Sequence, residues 1–478
     1  MQEVLSAFHG SILLPQLSAP RFFFPLLTVL PLSLNHNLHS LTTVHLSPPN
    51  GPVQATIPLA ASKSESNRAL IINALTNFRG EVLNLASARD TQTMIRLLKS
   101  GEQSGVLETA DVLDAGTTMR FLTAYFAATG QQKILTGTPR MCERPIGLLV
   151  EALRTLGADI TYLKNDGYPP LRINGFAPAP ANRTGANRIA IRGDVSSQYV
   201  SALLMIAPTL PTGLTIELTG DIGSRPYIEM TIEQMRHFGA IIKTDWTAQT
   251  LTVAPKPYTP TTFAVESDWS GASYWYSVVA LADEGSELEV LGLKARSLQG
   301  DSAIADIMRP LGVESTFTER GVILTKIPAQ ASLTWDYTGC PDLAQTVAVC
   351  AAMKGIRHTL TGIESLKIKE TDRILALQTE LKKVGAELVE TEPNTRYEVR
   401  LLTEASDRPN RNVGDAAFRP SQAPNPPSIH TYDDHRMAMA FAPVAMRQPV
   451  TIEEPGVVAK SYPSFWDDFR LVAGVAFS

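Results

Sequence analysis

The chain has 478 residues, about three times a typical domain, so one hydrophobic core is not expected. Apolar residues make up 44% and charged residues 19%, which excludes a disordered or supercharged chain. A formal net charge of −5 argues against nonspecific nucleic-acid binding but leaves room for a local basic pocket. Cys142, Cys340 and Cys350 are too few for a disulfide scaffold and are not spaced as a zinc site; they suit a reducing compartment.

Residues 1–40 differ from the rest. They hold one Arg and one acidic residue, Arg21 and Glu3. Their apolar run, 22–32, is broken by Pro25 and Pro31 and falls short of the roughly 20 residues that span a bilayer. Only Arg21 precedes the run, where a signal peptide wants a basic segment. A disordered, dispensable leader is expected, with the organised chain opening at an alternating strand, Thr42-Thr43-Val44-His45-Leu46.

Two kinds of segment then recur. The first opens with small polar residues and continues as an apolar helix, at 64–75, 116–127, 196–207, 270–282, 341–353 and 434–446. The second is an amphipathic helix closed by glycine and followed by a strand. Copies end at Gly157, Gly239 and Gly385, with a looser one over 305–313; glycine there suits a left-handed C-cap. β-Branched alternation at 251–254 and 322–325 marks strands. The pattern predicts an α/β chain of six repeated units, grouped as two lobes of three. No G-x-G-x-x-G follows a strand, so ordinary dinucleotide binding is not indicated.

Helices of the first kind are apolar all round and should be buried. Their polar N-termini offer free N–H groups and partial positive charge, which suits phosphate or carboxylate. Cations recur at these ends. Lys63 and Arg68 flank Ser64 and Ser66, and Arg120 follows Gly116, which permits close backbone approach. Arg140 and Arg144 share a short loop with Pro145, and their forks suit carboxylate and phosphate. Ser196-Ser197-Gln198 opens the third helix, five charges crowd 367–373, Arg436 stands at the last helix mouth, and Lys460 sits in a late loop. Several such ends on one cleft would form an anion site.

These motifs resemble those of the 5-enolpyruvylshikimate-3-phosphate synthase family of enolpyruvyl transferases. The resemblance spans Val44 to Phe469 and rests on S-K-S-x-S-N-R at Ser62, A-G-T-x-M-R at Ala115, R-M-x-E-R-P-I at Arg140, S-S-Q at Ser196, K-E-T-D-R at Lys369 and D-H-R-M-A-M at Asp434, in family order. It implies a two-lobed α/β fold of six βαβαββ units with buried parallel helices. The first lobe would be 41–61 plus 263–478 and the second 62–262, with crossings near Ala61 and Phe263. The Pro-rich stretch 408–428 reads as a disordered insertion.

The implied reaction transfers the enolpyruvyl group of phosphoenolpyruvate to the 5-hydroxyl of shikimate 3-phosphate, releasing phosphate, with no cofactor and no metal. The family pattern puts Lys63, Ser64, Arg68, Ser196, Ser197, Gln198, Ser224, Asp342 and Lys369 on shikimate 3-phosphate. It puts Lys63, Gly116, Arg144, Gln198, Arg373, Arg436 and Lys460 on phosphoenolpyruvate. Asp342 would accept the hydroxyl proton and Glu370 would handle the methylene proton, staying protonated by desolvation. Lys63 would assist phosphate departure. No nucleic-acid or membrane partner is implied, and a cytoplasmic monomer is expected.

The chain departs from the family pattern in places. Asp114 replaces Asn, Phe121 replaces Pro, Ala60-Ala61 replaces Pro-Gly, and Ser365 replaces an Asn that often contacts shikimate 3-phosphate. Asp114 would either repel phosphoenolpyruvate and the inhibitor glyphosate or pair with a neighbouring cation; a weakened glyphosate response is expected. The sister family acting on UDP-N-acetylglucosamine uses a Cys five residues before the Arg of its Arg-Pro pair. Here that position is Pro139. A catalytically inactive relative should lack Lys63, Asp342 or Glu370, and none is missing.

Overall fold

In a computed structural model, the structure describes residues 42–100, 107–176, 187–194, 196–402 and 425–478. The leader and most of the 408–428 stretch lie outside the described residues. The end of that stretch is ordered: Thr451 donates its amide to the Pro427 carbonyl, and Ser428–Ile429 is a strand.

One strand pattern repeats five times. Each four-stranded sheet has one parallel pair extended by two antiparallel strands. In the sheet of Glu108–Asp111, Lys133–Thr136, Ala158–Tyr162 and Leu171–Phe176, Glu108 faces Lys133 in the parallel pair and Lys133 faces Ile173 antiparallel. The sheets built on Arg188–Arg192, Gln54–Ile57, Ser332–Asp336 and Ser428–Ile429 follow the same order. Among the described residues the sixth sheet keeps only its parallel pair, Glu81–Leu83 with Thr262–Ala264. It lies beside the places where the chain leaves for the other core instead of turning back as a hairpin.

The predicted apolar helices are Lys63–Leu75, Gly116–Thr129, Ser197–Ile206, Trp269–Leu281, Ala344–Lys354 and His435–Phe441. In Ala344–Lys354 only Lys354 escapes burial, and in Trp269–Leu281 only Ser270. A helix with no solvated face must be enclosed by others: Gly116–Thr129 packs on Ser197–Ile206, and Ala344–Lys354 on both Trp269–Leu281 and His435–Phe441. The last helix is shorter than expected. Pro443 lacks an amide hydrogen, and residues Ala442–Met446 continue as a 3₁₀ turn. The amphipathic helices end where glycine was expected, with positive φ at Gly157, Gly239, Gly312 and Gly385.

Apolar side chains form two separate cores. One contains Val44 to Leu59 and resumes from Trp269 to Val472; the other runs from Ala61 to Val265. The two connecting strands meet in an antiparallel bridge, Ala61 with Ser267, flanked by the hydrogen bonds Ser62 N–Glu266 O and Asp268 N–Ala60 O, each 2.8 Å.

Candidate active site

Between the cores lies a cleft. Lys63, Ser64, Arg68, Gly116, Arg144, Ser196, Ser197, Gln198 and Ser224 line it from one side, and Asp342, Lys369, Glu370, Arg373 and Arg436 from the other. Lys460, expected with them, does not line it. Its side chain is 1% exposed, and its ammonium donates to the Asp114 carbonyl and carboxylate, each at 2.7 Å.

Helix starts deliver most of these groups. Ser62 accepts from Glu65 N and Ser196 from Gln198 N, so both serines cap their helices and fix the side chains that follow. Asp434 caps the His435 helix at the Arg436 amide, 2.9 Å, and Asp372 caps the Arg373 helix. Ala115 offers the Gly116 helix no such side chain. The Arg144 guanidinium fits against Gly116 so closely that a Cβ there would stand 2.8 Å from Nη1. The expected loop around Arg140 contains one helical turn, Pro139–Cys142, because Thr138 caps it at Met141 N. From that turn Arg140 reaches across to the carbonyls of Glu370 and Lys369, at 3.3 and 3.5 Å.

Carboxylates balance the cations on the far side. Asp342 receives Arg373 at 2.9 Å, Arg436 at 3.0 Å and Lys369 at 3.4 Å. Burial pushes its pKa up, but Arg436, Lys369 and Arg373 outweigh burial and hold it well below the usual range. Arg373 also binds Glu370 at 2.9 Å and Asp434 at 2.7 Å, so its fork is shared among three carboxylates. Glu370 differs from expectation. Burial raises its pKa, yet Arg373, Lys460, Arg144 and His435 together bring it well below normal, so this arrangement ionises it. Desolvation alone loses to four neighbouring groups.

On the near side, Lys63 pairs with buried Asp90 at 3.1 Å. Arg68 donates to Thr231 Oγ1 at 2.7 Å and to the Ser64 carbonyl at 2.9 Å, with its guanidinium 5.4 Å from the Phe121 ring centroid. The departure at Phe121 thus supplies a stacking face for a buried cation. Burial lowers the Arg68 pKa to about 10. Gln198 Nε2 donates to Thr117 at 3.2 Å.

Asp90, Arg120, Tyr199, Tyr227, Ser365 and His435 also line the cleft. Arg120 and His435 stand inside motifs already noted. Asp90 gave no such signal: an acid in the first turn of an amphipathic helix, Arg89–Lys99, reads as a simple dipole partner. Among the described residues, no three His, Cys, Asp or Glu side chains converge as a metal site, and no helix is long and apolar enough to cross a membrane.

Comparison with known proteins points to one family. Residues 48–469 match the family model described as EPSP synthase (3-phosphoshikimate 1-carboxyvinyltransferase). The 3-phosphoshikimate 1-carboxyvinyltransferase of Bacteroides fragilis strain YCH46 is 47% identical over 421 residues, 87% of this chain and 95% of the relative. That of Colwellia psychrerythraea is 36% identical over 448 residues, covering 89% and 98%. Among solved structures, EPSP synthase from Acinetobacter baumannii superposes with a TM-score of 0.68 at 19% identity, over 91% of this chain and 100% of that one.

Proposed function

The chain belongs to the EPSP synthase (3-phosphoshikimate 1-carboxyvinyltransferase) family, and from that premise we propose how its cleft performs the family reaction. The enzyme transfers the enolpyruvyl group of phosphoenolpyruvate to shikimate 3-phosphate and releases phosphate. The observation that carries the residue assignment is the convergence of helix N-termini and cations from both cores on one cleft. Two substrates that each bear a phosphate and a carboxylate need such a surface, since each charge-assisted hydrogen bond contributes about 1.5–3 kcal/mol.

Shikimate 3-phosphate sits against Ser64, Arg68, Ser196, Ser197, Gln198, Ser224 and Lys369, and phosphoenolpyruvate against Lys63, Gly116, Arg144, Arg373 and Arg436. The acceptor hydroxyl adds to the enol carbon while the methylene is protonated, and elimination then expels phosphate. Asp342, kept ionised by three cations, accepts the hydroxyl proton. Glu370 exchanges the methylene proton. It is ionised beside Arg373 and Lys460, but two polyanions would neutralise those cations and raise its pKa into a working range. Lys63 protonates the departing phosphate. The lobes 41–61 plus 263–478 and 62–262 close over the substrates and expel water. The enzyme works as a cytoplasmic monomer.

The test compares Asp342→Asn and Glu370→Gln in deuterated water, following phosphate release and deuterium entry into the phosphoenolpyruvate methylene. Glu370→Gln should abolish deuterium entry and Asp342→Asn should slow addition. Normal exchange in Glu370→Gln would remove that residue from the mechanism.

A further inference from the structure

Lys460 is the one residue assigned to phosphoenolpyruvate by resemblance that does not line the cleft, lying buried behind two that do, Asp90 and Glu370. Of the three donors on its ammonium, two are taken by Asp114, through the carbonyl and the carboxylate at 2.7 Å each. Arg89 Nη2 donates to the same Asp114 oxygen at 2.9 Å. Asp90 and Glu370 stand 3.9 and 3.8 Å from the Lys460 ammonium. Burial favours a neutral Asp114, but Lys460 and Arg89 prevail and keep its pKa below normal, so the negative charge is fixed. Asp114 lies two residues before Gly116, where the helix start and Arg144 meet. The segment 114–116 and Lys460 come from opposite cores, so the pair also spans the cleft wall.

We propose that Asp114 is a positioning and specificity-determining residue, a resident counter-ion that holds Lys460 and Arg89, so that an anion at Gly116 and Arg144 gains Lys460 only by competing with it. This rests on the reading that phosphoenolpyruvate binds there. A substrate with two anionic groups can compete; inorganic phosphate, with one, competes poorly and leaves. Removing the charge should therefore tighten both and narrow the difference between them.

The test is Asp114→Asn, with Asp114→Ser as a second variant should the first fold poorly. The expected result is a fall of about tenfold in the dissociation constant of inorganic phosphate, the size of a partly screened unit charge at this range, and a smaller fall, about threefold, in KM for phosphoenolpyruvate. Binding of shikimate 3-phosphate alone, and kcat, should move by less than about threefold, the split expected of a change in uniform binding. Phosphate binding is read by calorimetry without turnover, so it tests the competition even if the acceptor assignment fails. An unchanged or raised phosphate dissociation constant in the folded variants would overturn the proposal, and a raised KM would mean that Asp114 presents Lys460 to substrate.

Discussion

Glu65 sits where the chain crosses between the cores, in the first turn of the helix that carries Lys63, Ser64 and Arg68. It is 2% exposed and accepts the Glu266 amide at 3.0 Å. Glu266 is buried too, but its oxygens accept Trp269 Nε1 and Lys294 N, each at 2.8 Å, and Ser297 Oγ at 2.7 Å. Glu65 has no comparable set of donors. Burial raises its pKa from 4.5 to about 7, with Glu266 and Asp268 adding repulsion against the Glu266 amide and Lys294. The sign follows from linkage. Below the unfolded value both states are protonated; as pH rises towards 7 the unfolded chain ionises first, and stability falls until the folded group ionises as well. At about 1.4 kcal/mol per pH unit, this costs the fold about 3 kcal/mol above pH 7. Glu65→Gln keeps an acceptor for the Glu266 amide and cannot ionise. Urea unfolding of both proteins should show the variant's advantage growing by about 2–3 kcal/mol from pH 5 to pH 8. Groups common to both proteins cancel in the difference. A gap that stays flat with pH, or a wild type that is more stable at pH 8, would refute the reasoning.

Other substitutions test the cleft directly. Gly116→Ala meets only the tip of Arg144, so folding should survive while the guanidinium shifts; KM for phosphoenolpyruvate should rise about tenfold with shikimate 3-phosphate binding retained, and an unchanged KM would mean Arg144 does not hold that substrate. Ser365→Asn adds bonding capacity beside the acceptor site and should tighten shikimate 3-phosphate binding by about 1 kcal/mol in calorimetry, whereas no change would place Ser365 out of reach. Asp90→Asn leaves Lys63 without its ion pair; kcat should fall about tenfold while the variant stays folded, and an unchanged kcat would make the pair purely structural.

Much of the fold was legible because its signals are local. Helices apolar on every side announce enclosure, and the glycines at 157, 239 and 385 mark turns that other residues adopt at a cost. The cleft residues could be read because each stands within a few positions of a helix start. Long-range electrostatics were not legible. Whether Lys460 faces the cleft depends on Asp114, 346 residues away in sequence, and whether Glu370 is protonated depends on a balance among Arg373, Lys460 and Arg144 set by packing. Asp90 was missed for the same reason, since its partner Lys63 lies on another helix. The shortened sixth sheet reflects topology at the crossings, which no local pattern encodes.

The central claim is the acceptor. Phosphate release from phosphoenolpyruvate should be measured with the purified full chain in the presence of shikimate 3-phosphate and, separately, UDP-N-acetylglucosamine. Release with shikimate 3-phosphate alone is the expected result. Release with the sugar nucleotide, or with neither acceptor, would contradict it.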